Sequence, residues 1–171
     1  MGTERLHVHQ VSRSTFNTSE LNFVRCAQPS TDNYDSVITA PFALEFQFWM
    51  SHPVKLTALK LMRQFNKDSH SQLYTEQVQI EVHTASEKII SMACFGPRQI
   101  EFGPGNFEVK FAKQAMLFSN KKYMLRIKLL SGGFYLNQYR SMNSHCEGIC
   151  ASFSGVGQGK GLLHSLVCKR A

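Results

Sequence analysis

Phe42-Ala-Leu-Glu-Phe-Gln-Phe-Trp49 puts Phe42, Leu44, Phe46 and Phe48 on one side of an extended chain, and Glu45 and Gln47 on the other. Successive side chains of a strand point to opposite faces, so this stretch reads as a strand with one dry and one wet face. Gln77-Val-Gln-Ile-Glu-Val-His83 repeats the pattern with Val78, Ile80 and Val82 inward, and Phe107-Glu-Val-Lys-Phe111 repeats it again. Sheets with one apolar face must bury it against something, and a second such sheet is the usual solution. The fold class read from this is all-β: a single antiparallel β-sandwich of jelly-roll-like type.

Working outward, strands are predicted at Ser36–Ile38, Phe42–Met50, Val54–Met62, Gln77–Thr84, Ile89–Phe95, Phe107–Phe111 and Tyr123–Leu130, with a last one at Leu162–Cys168. Ser51-His-Pro53, Asn66-Lys-Asp-Ser69, Gly96-Pro97 and Gly103-Pro-Gly-Asn106 supply turn chemistry between them. Leu56, Leu59 and Met62 have rough helical spacing, but Val54, Leu56 and Ala58 alternate. A strand running into a loop near Phe65 is therefore favoured. Residues 1–35 are polar and mixed, with Leu21-Asn-Phe-Val-Arg-Cys26 as a candidate short strand. They read as an N-terminal arm or a leading strand, and 36–171 as the sandwich domain.

The chain has 171 residues, 43% of them hydrophobic and thirteen of them Phe, which suits one packed domain. No apolar run reaches the roughly 20 residues of a membrane span, so no membrane is expected among its partners. The opening Met1-Gly-Thr-Glu-Arg-Leu-His7 lacks an apolar signal core, and the five cysteines are an odd number at uneven spacing. They read as reduced thiols of a cytoplasmic or nuclear protein.

Charge is unevenly placed. Up to Glu108 there are nine Lys/Arg and eleven Asp/Glu; beyond it there are ten Lys/Arg and only Glu147. The halves thus carry −2 and +9, which makes up the overall +7. Such asymmetry marks either a solvated basic face or a surface for nucleic acid, anionic lipid or acidic peptide.

Four constellations offer residue types that could carry chemistry. Cys146, Cys150, His164 and Cys168 have ligand-like spacing, C-x3-C-x13-H-x3-C. A zinc finger needs a helix for its second ligand pair, and Gly155-Val-Gly-Gln-Gly-Lys-Gly161 would cost such a helix roughly 1 kcal/mol per glycine. Buried structural thiols are the favoured reading, with no metal and no cofactor. The glycine stretch is neither a phosphate-binding loop, since Gly161 follows Lys160, nor a dinucleotide fingerprint. It reads equally well as a simple loop and as a mobile rim that contacts a partner, with Lys160 at its tip.

Trp49 is expected to close one end of the core, whereas Phe134, Tyr135 and Tyr139 follow Gly132-Gly133 as a candidate exposed aromatic cluster. The histidines are scattered, no nucleophile elbow surrounds Ser154, and Cys94 sits in apolar Ser91-Met-Ala-Cys-Phe95. A non-enzyme is expected.

The order of these segments resembles a PHR domain, the β-sandwich of large PHR ubiquitin ligases and of BTB-PHR proteins. Leu44-Glu-Phe-Gln-Phe-Trp49, Ser51-His-Pro53 and Val54-Lys-Leu-Thr-Ala-Leu59 look like its first strand pair. Tyr74-Thr-Glu-Gln-Val-Gln-Ile-Glu-Val-His-Thr84 is similar to its Tyr-x-x-x-Val-x-Ile strand. Phe107–Phe111 and Lys122-Tyr-Met-Leu-Arg126 match its phenylalanine and tyrosine strands. Cys146–Cys168 fits its closing strand, glycine-rich loop and last strand. The chain departs from the family at Leu61-Met-Arg-Gln-Phe65, where loop glycines are usual, and lacks its Gly-Gln-Ile-Pro lead. The resemblance spans about residues 36–168.

What the resemblance implies is binding of a peptide or protein partner, with ubiquitin-ligase substrate adaptor as the specific version. The candidate contacts are Phe134, Tyr135, Gln138, Tyr139, Gly157 and Lys160 at the glycine-rich end. Lys121 and Lys122 are candidates for acidic recognition, joined by Arg126 and Lys128 if their strand face is open. Alanine at Tyr135 or Tyr139 is then expected to weaken binding with little loss of stability. The alternative reading is a nucleic-acid binder using the basic half. The oligomeric state is left open.

Overall fold

The computed structural model describes residues 19–25, 36–38, 41–65, 72–135, 142–154 and 162–171. Twelve strands run through them: β1 (Leu21–Val24), β2 (Ser36–Ile38), β3 (Phe42–Met50), β4 (Val54–Met62), β5 (Leu73–Thr84), β6 (Ile89–Glu101), β7 (Asn106–Leu117), β8 (Tyr123–Leu129), β9 (Gly133–Tyr135), β10 (Asn143–Cys146), β11 (Ile149–Ser154) and β12 (Leu163–Arg170). Strands β10-β11-β3-β8-β5-β6 make one antiparallel sheet and β1-β12-β4-β7 the other. β2 pairs with β9 in a separate two-stranded ribbon. The fold is an all-β sandwich. Among the described residues no helix is long and apolar enough to cross a membrane.

Alternation decides which faces meet. Leu44, Phe46, Phe48 and Met50 of β3, Val78, Ile80 and Val82 of β5, and Leu125, Ile127 and Leu129 of β8 are buried together. Leu56, Leu59 and Leu61 of β4, Val109 and Leu117 of β7, and Leu166 of β12 belong to the same core. The chain changes sheet between β3 and β4, β4 and β5, β6 and β7, β7 and β8, and β11 and β12. The two sheets therefore hold each other by connection as well as by packing. Their margins also meet, β6 beside β7 and β1 beside β10. That closeness leaves little open edge for stray pairing.

On the outer face, Glu45 lies opposite Arg126, which lies opposite Glu81. Arg126 Nη2 sits 2.7 Å from Glu45 Oε1 and its Nη1 3.8 Å from Glu81 Oε2. Solvent-exposed pairs of this kind contribute about 0–1 kcal/mol each, so the buried face sets the register and the charges only agree with it.

Several expectations change. Gly96-Pro97 is not a turn between strands but a bulge inside β6, where the register slips between Phe95↔Val78 and Arg98↔Glu76. Gly96 has φ 74°, and a Cβ there would collide with the Glu76 carbonyl oxygen and the Arg98 amide nitrogen. Trp49 faces outward and is half-buried opposite Ser152, because its neighbours Phe48 and Met50 point into the core. Cys94 is exposed on β6 rather than held in an apolar setting. Leu21–Val24 pairs with β12, so this part of residues 1–35 is a strand of the sandwich.

Candidate functional site

The sequence candidates do not form one site. Lys121 and Lys122 precede β8 and Phe134 and Tyr135 follow it, so the seven residues of β8 hold them at opposite ends of the sandwich. At about 3.3 Å per residue that is on the order of 20 Å. Between them, Lys128 is exposed on the outer face, whereas Arg126 is half-buried and engaged by Glu45 and Glu81. Gln138, Tyr139, Gly157 and Lys160 lie outside the described residues.

Phe134 and Tyr135 are separated by the parity of β9. Phe134 is 40% exposed and Tyr135 only 1%. The expectation that Tyr135 is displayed to a partner is corrected: it is an interior residue. Its hydroxyl donates to Glu76 Oε2 at 3.0 Å and accepts from Gln64 Nε2 at 3.1 Å. Ser131 Oγ donates to Glu76 Oε1 at 2.8 Å, and the Gln77 amide donates to the same oxygen at 3.2 Å. Tyr74 closes the cluster by accepting the Gln64 amide at 3.0 Å.

Glu76 has no exposed surface at all. Burial raises its carboxyl above the ordinary 4.5, and the hydrogen bonds from Ser131, Tyr135, Tyr74 and Gln77 only partly oppose this. Burial likewise pushes the Tyr135 and Tyr74 hydroxyls far up. Both phenols therefore act as fixed hydrogen-bonding groups. Tyrosine parity and a carboxylate on the apolar parity of β5 were the available sequence signals for this cluster. Glu76 shares its face with Tyr74, Val78 and Ile80.

A raised folded-state value means the folded chain binds this proton more readily than the unfolded chain does. The resulting stability is fully present below about 4.5, the unfolded value, and is lost as pH rises through the folded value. Urea denaturation over a pH series should show wild-type stability falling relative to Glu76→Gln in that window. Parallel profiles for the two proteins would show that Glu76 does not titrate this way.

At the other end, the β5–β6 and β7–β8 turns enclose an apolar pocket of about 460 Å³. Thr84, Ala85 and Ser86 line it from the β5–β6 turn, Ile90 and Met116 from β6 and β7, and Phe118, Lys121, Lys122 and Tyr123 from the β7–β8 turn and the start of β8. The β7–β8 turn is pinned, not slack. The Phe118 amide donates to the Tyr123 hydroxyl at 2.9 Å, and the Asn120 amide to the Met50 carbonyl at 2.7 Å. Asn120 takes the left-handed conformation, φ 57°, which asparagine tolerates better than most residues. The Lys121 ammonium lies 5.3 Å from the centre of the Phe118 ring. Phe118 is nevertheless 51% exposed and Met116 36%. Large apolar side chains held at the surface of a built concavity are the usual mark of a binding site.

The cysteine spacing does not assemble a metal site. His164 and Cys168 lie on one extended strand, β12, where four residues span about 13 Å. Burial, then the Lys60 charge, lowers the His164 imidazole below 6.5, and burial raises the Cys168 thiol. The β10–β11 turn lies between Cys146 and Ile149, and its Glu147 and Gly148 both have positive φ as a two-residue hairpin turn requires; Cys150 lies opposite His145, out of register with Cys146. Among the described residues no three His, Cys, Asp or Glu side chains converge to hold a metal.

One core residue had no sequence signal. Arg25, just past β1, is 1% exposed, with its guanidinium 4.3 Å from the Phe46 ring centre and 5.1 Å from that of Phe153. Such stacking contributes about 0.5–2 kcal/mol and makes a buried arginine part of the packing. No protein-family model matches the chain, and a search of curated proteins finds no significant match.

Proposed function

We propose that this β-sandwich is a protein-interaction module that recognises a peptide or folded partner. The observation that supports it best is the preset apolar pocket between the β5–β6 and β7–β8 turns, with Phe118 and Met116 open to solvent. A pinned turn loses little freedom on binding, which favours affinity from a small contact. The resemblance to PHR domains extends the reading to a substrate adaptor of a ubiquitin ligase in the cytoplasm or nucleus. Phe134, exposed at the opposite end, is a second candidate contact.

The nucleic-acid reading draws less support. Arg126 is engaged by Glu45 and Glu81, Lys110 stands 3.8 Å from Glu108, and Arg170 pairs with Glu147 at 3.1 Å. These pairs interrupt the positive track that phosphate binding needs.

Capture of partners from nuclease-treated lysate by the wild-type chain and by Phe118→Ala tests the proposal. The specific protein partner should survive nuclease and fall by roughly tenfold in the variant, typical of an aromatic anchor. Its melting temperature should hardly move, since Phe118 is half exposed. Equal capture by both chains, or loss of the captured proteins with nuclease, overturns it.

A further inference from the structure

We infer that the pocket takes an acidic peptide segment anchored by one bulky apolar side chain, an inference that rests on the interaction-module reading. Charge complementarity carries it. Two consecutive lysines, Lys121 and Lys122, line the pocket, and no carboxylate does. In the facing turn Glu87 is followed by Lys88, so that turn adds no net charge. The remaining wall is apolar or already occupied: the Thr84 hydroxyl is 3.0 Å from that of Ser86 and accepts the Lys88 amide at 3.2 Å. A ligand therefore meets a mostly apolar lining that carries two lysines and no carboxylate.

The dimensions fit a side chain better than a lipid tail. About 460 Å³ lies at the lower end of the range of ligand pockets, enough for an anchor residue and its near neighbours. The pocket is open on one side, so an acyl chain would stay half wetted, whereas an anchored peptide needs only its apolar side chain covered. Carboxylates one or two residues from the anchor would then reach Lys121 and Lys122, where opposite charges attract over a Debye length of about 10 Å at 0.1 M salt.

The test probes an array of ten-residue peptides with the full chain. One central position is varied through Phe, Leu, Met and Ala, and its flanks through Glu, Gln and Lys. Binding should need a bulky apolar centre and rise at least tenfold from Gln to Glu flanks. The double variant K121E/K122E should reverse the preference toward Lys flanks, a gain of binding that a misfolded chain cannot produce. Binding without flank preference, a preference that the charge reversal leaves unchanged, or no peptide retained above the Ala series overturns the inference. So does retention by vesicles of phosphatidylserine in phosphatidylcholine with the same lysine dependence and no peptide binding. If peptides bind through Phe118 whatever their flanks, the acidic specificity fails and the interaction module stands. If lysate capture is also indifferent to Phe118, both fail.

Discussion

Tyr135→Ala lowers the unfolding free energy by about 3–5 kcal/mol, the range for removing a large aromatic side chain from a core. Tyr135 is 1% exposed, and its loss does more than leave a cavity. Glu76 Oε2 loses the hydroxyl that donates to it, and Gln64 Nε2 keeps only the Gly132 carbonyl at 3.2 Å. An under-satisfied buried carboxylate is costly in its own right. Tyr135→Phe separates the two effects. It keeps the ring and removes the hydroxyl, and should cost about 1–3 kcal/mol. For a chain of this size each kcal/mol moves the melting midpoint by about 2–4 °C, so thermal denaturation resolves wild type, Phe and Ala in that order. An Ala variant as stable as wild type would show that Tyr135 is a surface residue after all.

Gly96→Ala should be nearly as damaging for the addition of one methyl group. The left-handed φ of 74° costs a residue with a Cβ roughly 1–2 kcal/mol. The added atom also meets backbone on both sides, the Glu76 carbonyl oxygen and the Arg98 amide nitrogen, neither of which can swing away as a side chain could. Overpacking of that kind costs about 1–3 kcal/mol, giving about 2–5 kcal/mol together. Relief requires moving Glu76, whose side chain centres the buried cluster. The damage should therefore not add to that of Tyr135→Ala. Urea denaturation of the two single variants and the double variant checks this: a double variant less destabilised than the sum shows coupling through Glu76, and strict additivity refutes it. Gly103→Ala isolates the backbone part of this cost, because its φ of 131° disfavours a side chain while a Cβ there meets nothing within 4 Å.

Legibility followed the strength of the alternation. β3 and β8 are readable almost to the residue because each carries an unbroken apolar parity that burial enforces, and β4 keeps its expected bounds although its parity switches at the bulge beside Ala58 and Leu59. β6 and β7 run six residues past their expected ends. The extension of β6, with Arg98 and Gln99, is exposed, and in β7 exposed Ala112-Lys-Gln114 interrupts the apolar period before Ala115 and Leu117 return to the core; both strands pair through bulges. β10, Asn143-Ser-His-Cys146, had no apolar parity at all; it exists because β11 offers it backbone partners.

The site shows the same division. Lys121 and Lys122 could be singled out by charge, but the pocket they line is completed by Thr84–Ser86 and Ile90, more than thirty residues away in sequence. Tyr135 was misplaced because an aromatic after two glycines reads as surface until the Gln64 and Glu76 side chains are known to meet it. Local order, which residues extend and which parity is apolar, is a property of neighbours along the chain and is legible there, together with the all-β class. Which turns meet to form a pocket, and which polar groups are sealed inside with their partners, depends on how two sheets are stacked and joined. Neither can be read along the chain, because hydrogen-bond satisfaction and concavity are made by residues distant in sequence.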